Sequence, residues 1–351
     1  MSPLARWKHL LKVIVSGALY HAGVLWILQR ILMRRRAIVL TYHRVLTADE
    51  RARVASHPAM VVDRDVFAKQ MALLKRRFTV LSLDALTERL RSGLPLPNSS
   101  CLITFDDGWK DTFDNALPVL ERLRLPAVVF LPVGYVGSRR VFWQEALTRL
   151  LRLAANTAKE RPLVRERLRN VLSRFGLEPL LDAEPDGCER LIEAAIAERK
   201  GANAVETGRL VDALSRELGT STEEFSDVDG FVTWQQVRLM AERGMAFGGH
   251  GVEHRLLTCI PEAESRAEVE GARETLQANL GHPIEAFCYP NGYFTTAIVE
   301  QVRKAGYTIA FSTRRGLVEA GDDPFRIGRL NVHDSVTNTE PMFLARLLGL
   351  F

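Results

Sequence analysis

The chain has 351 residues, of which 47% are hydrophobic and 25% charged, enough apolar material for the core of one large domain or about two ordinary ones. The net charge of +5 is mild and no basic stripe interleaved with aromatics runs along the sequence, which argues against nucleic acid as a partner. Low-complexity stretches and internal repeats are absent, and Cys101, Cys188, Cys259 and Cys288 show no Cys-x-x-Cys spacing and form no disulfide framework for a chain of this size.

Residues 1–36 carry much of the positive charge, in Arg6, Lys8, Lys12, Arg30, Arg34, Arg35 and Arg36. The uncharged core between them, Val13 to Leu28, is 16 residues long, short of the roughly 20 that a spanning helix needs. No small-x-small cleavage site precedes Arg34, as a cleaved signal peptide would require. A segment apolar nearly all round and flanked by cations is expected to associate with a membrane surface, lying on it or anchored in it. The expected location is therefore an inner or cytoplasmic membrane, with the side left open.

From residue 37 strand-like and helix-like runs alternate. A buried-type strand is expected at 37–43 and a helix at 65–78, spaced through Phe67, Met71 and Leu74. A strand in "TVLSL", a helix in "DALTERLRSG" stopped by Gly93, and a strand at 101–105 follow. Next come a helix in "NALPVLERLR" despite Pro118 and a strand at 127–133. Between about 143 and 230 the chain turns rich in Leu, Ala, Arg and Glu, and reads as several helices punctuated by Pro185, Gly187 and Gly201. Alternation returns in "TWQQVRLMAERG", where Thr233 and Gln236 make a capping box and Gly244 is the stop. A strand in "MAFGG", a helix at 262–280, a strand in "AFCYP", a helix at 295–305, and strands in "TIAFST" and "RIGRLNV" complete the pattern. Residues 336–351 read as an apolar C-terminal helix. Repeated βα units with buried-type strands imply a parallel sheet over 37–335, open or closed into a barrel. The helical insertion sits in one of its connections, where long insertions serve as lids, partner surfaces or small subdomains.

Parallel strands present their sites at their C-terminal ends. Four expected strands finish in polar or turn-forming groups: His43, Asp106-Asp107, His250, and Pro290-Asn291-Gly292. An Asp-Gly turn with a helix cap accounts for one aspartate, but not for two carboxylates at the end of a buried strand. His250 and His254 are spaced i, i+4, so on a helix or one tight turn both imidazoles can hold one metal. Gly248, Gly249 and Gly251 around them allow close backbone approach. Two histidines and one carboxylate make a three-ligand metal site with an open position for water. The remaining carboxylate is then placed to take that water's proton.

In order and spacing, "TFDDGWKDTF", "GHGVEHRLL" and "FCYPNG" resemble the motifs of the polysaccharide deacetylase family, in its chitooligosaccharide deacetylase-like group. The resemblance covers about 38–135 and 231–335, and "LTYHRV" recurs in one branch of the family. It implies a distorted (β/α) barrel that removes N-acetyl groups from amino sugars with a divalent metal, commonly zinc. Carried over by position, Asp106 resembles the catalytic base, and Asp107, His250 and His254 the metal ligands. The backbone N–H of Asn291 corresponds to the oxyanion donor and Leu257 to the apolar position lining the acetyl pocket. Tyr289 and Pro290, beside that donor, are expected to face substrate. His333 is the positional candidate for the general acid, and His43 is expected to face the substrate or support the site.

The chain also departs from the family pattern. Gly251 stands where Ser or Thr is usual, Cys288 where an Arg often orients the base, and no Asp-x-x-Asp-Trp motif is recognisable in "FSTRRG". The expected function is a metal-dependent hydrolase of N-acyl groups on an amino-sugar glycan or lipid-linked sugar, acting on carbon–nitrogen bonds other than peptide bonds. The competing expectation is a degenerate barrel that binds such sugars without hydrolysing them. A membrane scaffold would leave the strand-end cluster unexplained. No oligomeric state follows from the sequence.

Overall fold

The computed structural model describes residues 3–200 and 204–350. Residues 1–2, Gly201 and Phe351, and the side chains of Arg6 and Lys8, lie outside the described residues. Contacts divide the chain into two units. One holds residues up to 52, 57–137 and 232 onwards, and the other holds 53–56 with 138–231.

The larger unit is built on β1 (Ala37–Tyr42), β2 (Arg44–Leu46), β3 (Val61–Asp63), β4 (Thr79–Val80), β5 (Ser100–Phe105), β6 (Val128–Leu131), β7 (Ala246–Gly249), β8 (Ala286–Cys288), β9 (Ile309–Phe311) and β10 (Leu330–Asn331). Apart from the small β2–β3 ribbon, these form one parallel sheet in the order β10-β1-β5-β6-β7-β8-β9, with β4 on the start of β5. The two ends meet through the segment before β10. Ile327 donates its N–H to Ala310 at 3.0 Å and accepts from Ser312 N–H at 2.8 Å, while Leu330 pairs with Leu40. That closure makes the sheet a distorted (β/α) barrel, the fold the motifs implied.

Alternation along the strands separates two apolar layers. Val39, Leu102, Phe130, Cys288 and Phe311 belong to one buried cluster, and Ile38, Ile103, Val129, Phe287 and Ala310 to the other, which also takes in the surrounding helices. The first cluster is the barrel interior. It fits because β7 carries Gly248, where a Cβ would stand 2.6 Å from the Phe130 ring and 2.7 Å from the Ala286 carbonyl oxygen.

The helix at Glu262–Leu280 ends on Gly281 with φ 74°, the left-handed cap that glycine adopts without strain. Trp234–Glu242 starts on the expected box, with Gln236 N–H donating to Thr233 Oγ1 at 3.2 Å and Thr233 N–H to Gln236 Oε1 at 2.9 Å. Several strands are shorter than their apolar runs. In "TVLSL" only Thr79–Val80 is strand, because the Ser82 hydroxyl already caps the helix Leu83–Arg91. Pro118 is accommodated in the first turn of Leu117–Leu123, after a wide turn at Thr112–Ala116, where its missing N–H has no bond to lose.

At the N-terminus, α1 (Pro3–His21) and α2 (Val24–Leu32) meet at Gly23, with φ 76°, and bend by 84°. Tyr20 Oη donates to Glu340 at 3.1 Å and Gln29 Nε2 to the Arg77 carbonyl at 3.0 Å. Among the described residues no single helix is long and apolar enough to cross a membrane. The apolar C-terminal run forms a helix at Glu340–Leu347 whose Phe343 and Leu344 are core residues.

The second unit is helical, with helices at Trp143–Glu160, Pro162–Ser173, Pro185–Arg199 and Ala204–Leu218. Its own core includes Leu150, Leu151, Leu172, Ile192 and Leu214. Arg149 pairs with the fully buried Asp229 carboxylate at 2.6 Å, and Arg152 grips Glu189 through two bonds of 2.8 and 2.7 Å.

Candidate active site

Leu102, Thr104 and Asp106 follow one another on the inward face of β5, so Asp106 arrives at the mouth of the barrel almost wholly buried, at 3% exposure. Its partner is Arg329, just before β10. Both guanidinium termini reach the carboxylate, each at 2.7 Å. The guanidinium is itself fixed by Thr104 Oγ1 at 3.1 Å, the Ser312 carbonyl at 3.2 Å and Cys288 Sγ at 2.9 Å, above the Phe130 ring. Burial alone would raise the Asp106 carboxyl. Arg329, helped by His250 and His43, outweighs it and holds the group well below the usual carboxylate range. Asp106 is therefore ionised throughout the physiological range.

The chain turns sharply after Asp106. Asp107 sits at φ 73°, a left-handed conformation that needs support from its surroundings. The turn sends the second carboxylate to the same side as the first. Its Oδ1 lies 3.6 Å from His250 Nε2 and 3.4 Å from His254 Nε2, and the two imidazole nitrogens are 3.2 Å apart. Its Oδ2 accepts from the Trp109 indole N–H at 3.0 Å. Trp109 is buried under the Arg44 guanidinium, 4.2 Å from its ring, and Arg44 is held by Asp111 at 2.7 Å.

His250 directly follows β7, and His254 comes in a loop rather than a helix, at φ 54°. Glu268 shapes that loop, its Oε2 accepting from the N–H groups of Val252 at 2.8 Å and Glu253 at 2.9 Å. Gly251 has φ 80° and would place a Cβ 2.7 Å from the same oxygen. The departure from Ser or Thr at this position thus follows from a carboxylate pressed against the loop.

The donors suit a small divalent cation. Ligand atoms of Asp107, His250 and His254 all lie within 4.8 Å of one another. His250 Nδ1 is 2.7 Å from the Cys288 carbonyl oxygen; donating there fixes the tautomer and leaves Nε2 as a lone pair facing the group. Burial, reinforced by His254, lowers the His250 pKa to about 4, so the ring is neutral at pH 7. Burial also pushes Asp107 up, against the pull of His43 and His250. Asp106, His250 and Cys288 form a second close group. It is the poorer set, because Arg329 occupies both Asp106 oxygens and burial raises the Cys288 thiol well above its ordinary range.

His43 follows β1 with Nε2 3.9 Å from Asp106 Oδ2 and its buried Nδ1 without a hydrogen-bond partner. His333 has a different setting. Burial, then Arg346, His57, Arg315 and His43, lowers its pKa to about 4, and no ion pair ties it to either aspartate of the site. Asn291 lies in the turn after β8 at φ 54°, its carbonyl accepting from Thr313 Oγ1 at 3.2 Å. Pro290 and Leu257 are buried, Leu257 within the helix-facing core. Tyr289 departs from expectation: it points into that core, fully buried, with its hydroxyl donating to the Phe325 carbonyl at 3.0 Å. It sits on the outward face of the strand end and is not available to substrate.

Arg329 is not among the residues expected from the sequence, where the family's orienting arginine falls at position 288 and this chain has a cysteine. Arg329 is in the sequence just before the last expected strand, but only the β10–β1–β5 adjacency brings it to Asp106. Trp109 and Glu268 were also missed: the positive-φ turn that aims the indole at Asp107 is not visible in spacing, and Glu268 reaches the His254 loop from a separate helix.

Titratable groups gathered at the C-terminal strand ends of a parallel barrel are the arrangement of barrel enzymes. A family model for polysaccharide deacetylase matches residues 94–160 and 202–310, just over half of the chain. This chain belongs to the polysaccharide deacetylase family. Asp106, Asp107, His250, His254 and Asn291 lie within the matched segments; His43 and Arg329 lie outside them. The poly-β-1,6-N-acetyl-D-glucosamine N-deacetylase of Escherichia coli K12 is 31% identical over 98 residues, and the alignment spans 28% of this chain and 14% of that protein. Among solved structures, the Streptococcus pyogenes deacetylase PplD in complex with acetate superposes with TM-score 0.56 at 17% identity, covering 89% of this chain and 98% of that one. IcaB from Ammonifex degensii gives 0.56 at 18%, covering 89% and 97%. A de-N-acetylase from Aggregatibacter actinomycetemcomitans gives 0.52 at 14%, covering 85% and 95%. At these identities the structures share the fold.

The Trp109 indole N–H holds Asp107 so that one oxygen faces the imidazoles. Trp109→Phe keeps a ring under Arg44 but removes that bond, and is expected to weaken affinity for a divalent cation by about tenfold, read by competition with a chromophoric chelator.

Proposed function

We propose that this chain is a metal-dependent N-deacetylase that hydrolyses acetamido groups on an amino-sugar glycan. One observation carries the reading. An ionised carboxylate, clamped by Arg329, stands one residue away from a compact set of two imidazoles and a second carboxylate. Asp107, His250 and His254 would hold the cation, and a nitrogen-rich set of three favours zinc. Such a cation, when bound, supplies Lewis acidity, acidifying a water and polarising the amide carbonyl.

The protein's own groups do the rest. Asp106, unprotonated at neutral pH, accepts the proton of the attacking water; each of its oxygens keeps a lone pair beyond those used by Arg329. Arg329 keeps the carboxylate in one orientation. The Asn291 N–H donates to the amide oxygen as negative charge builds there. His43, beside Asp106, gives a proton to the leaving nitrogen. The C–N bond breaks, releasing acetate and a free amine. His43 takes this role in preference to His333, because His43 Nε2 is within 3.9 Å of Asp106 Oδ2, while His333 makes no ion pair with either aspartate of the site.

A barrel that binds sugars without cleaving them is the weaker reading. Its supports were the missing arginine at position 288 and the missing Asp-x-x-Asp-Trp motif, and Arg329 fills the first of these places on Asp106. The Escherichia coli relative makes β-1,6-linked N-acetylglucosamine the first substrate to try, with a lipid-linked amino sugar as the second.

Acetate release from both substrates, with metal content measured alongside, tests the reading. Asp106→Asn is expected to retain its zinc and lose turnover by about 10²–10⁴-fold; full activity in that variant contradicts the assignment. His43→Ala is expected to fall by about 10²-fold or more, with His333→Ala staying close to the unaltered protein. The reverse order would move the acid to His333.

A further inference from the structure

The described residues expose thirteen large apolar side chains, and seven of them fall between Trp7 and Ile31. On α1 these are Trp7, Leu10, Leu11, Ile14 and Val15; on α2 they are Ile27 and Ile31. Spacings of three, four and seven residues put those of α1 on one side of the helix. The opposite side is committed to the barrel unit. Ser16 is buried and Tyr20 bonds Glu340, while α2 buries Leu25 and Gln29 and stacks Trp26 under the Arg77 guanidinium at 3.8 Å.

The charge pattern of the segment says what covers the exposed side. No acidic residue occurs before Asp49. Arg30 and Arg34 extend the exposed row of Ile27 and Ile31, and Arg35 is exposed beside them. A second copy of the chain would bring like charges together with no acid in either segment to offset them. An anionic lipid surface offsets them directly. A spanning helix would need apolar contact on every side, whereas these helices are bonded to the barrel unit along one side and bent by 84°.

We propose that the α1–α2 elbow is a one-sided membrane-docking surface: Trp7, Leu11, Ile14, Ile27 and Ile31 enter the headgroup–acyl boundary of an anionic bilayer, and Arg30, Arg34 and Arg35 engage lipid phosphates. Neither helix crosses. The inference stands on the exposed face and its charge, and does not depend on the deacetylase reading.

The test is cosedimentation of the full chain with sucrose-loaded vesicles of phosphatidylcholine containing phosphatidylglycerol, and with pure phosphatidylcholine vesicles. Binding is expected to the anionic vesicles, to fall with added salt, and to be much weaker to the neutral ones. A variant with Leu11, Ile14, Ile27 and Ile31 each replaced by Ser is expected to bind at least about tenfold more weakly. Its thermal melt and acetate release from a soluble oligomer should match those of the unaltered protein, because all four positions are exposed. The inference is overturned if the unaltered chain stays in the supernatant or if the four-serine variant binds equally well. It is also overturned if ultracentrifugation finds a dimer that the serines dissolve and that does not bind vesicles.

Discussion

Two adjacent carboxylates buried at the mouth of a barrel set the terms for the rest of the site. Asp106 and Asp107 are 3% and 4% exposed, and a buried charge left without a partner costs several kcal/mol. The structure gives them different partners. Asp106 receives a bidentate guanidinium from Arg329, which is itself 2% exposed and equally dependent on the pairing. Asp107 receives an indole N–H on one oxygen and two imidazole nitrogens on the other. The first arrangement is complete as it stands and keeps the carboxylate ionised. The second gathers lone-pair donors around a point, and a cation there would offset both the charge and the crowding.

The fold supplies these partners from three places: the turn after β5, the loop after β7 and the residue before β10. Inward alternation brings Asp106 to the mouth, and a left-handed turn at Asp107 overrides the alternation that would send its neighbour outward. His254 and Asn291 also sit at positive φ. Backbone strain of this kind persists only where the surroundings hold it. Around His254 the support is visible: Glu268 takes two N–H groups of the loop, and Gly251 leaves room for its carboxylate.

Much of this was legible in the sequence, because much of it is local. Four strands ending in polar groups, the i, i+4 histidines, and the helix limits at Trp234 and Glu262 all follow from spacing within one segment. What could not be read depends on closure or facing. Arg329 reaches Asp106 only because β10 lies beside β1 and β1 beside β5. Tyr289 was expected to face substrate, but its position directly after β8 turns it into the helix-facing core. The proposed preference for His43 over His333 also rests on the assembled barrel, since both follow strands and it is His43 whose Nε2 lies 3.9 Å from Asp106. Likewise, apolarity at the two ends of the chain looked alike in sequence. The C-terminal helix buries its Phe343 and Leu344, while α1 leaves Trp7, Leu11 and Ile14 exposed.

The central claim is that Asp107, His250 and His254 share one cation while Asp106 stays outside its coordination. Anomalous diffraction at the zinc edge from zinc-soaked crystals tests it most directly. The account predicts a single strong peak, about 2.0–2.2 Å from one Asp107 oxygen and from Nε2 of both imidazoles, with Asp106 still paired to Arg329. A peak bonded to Asp106, or none among these residues at full zinc loading, would contradict it.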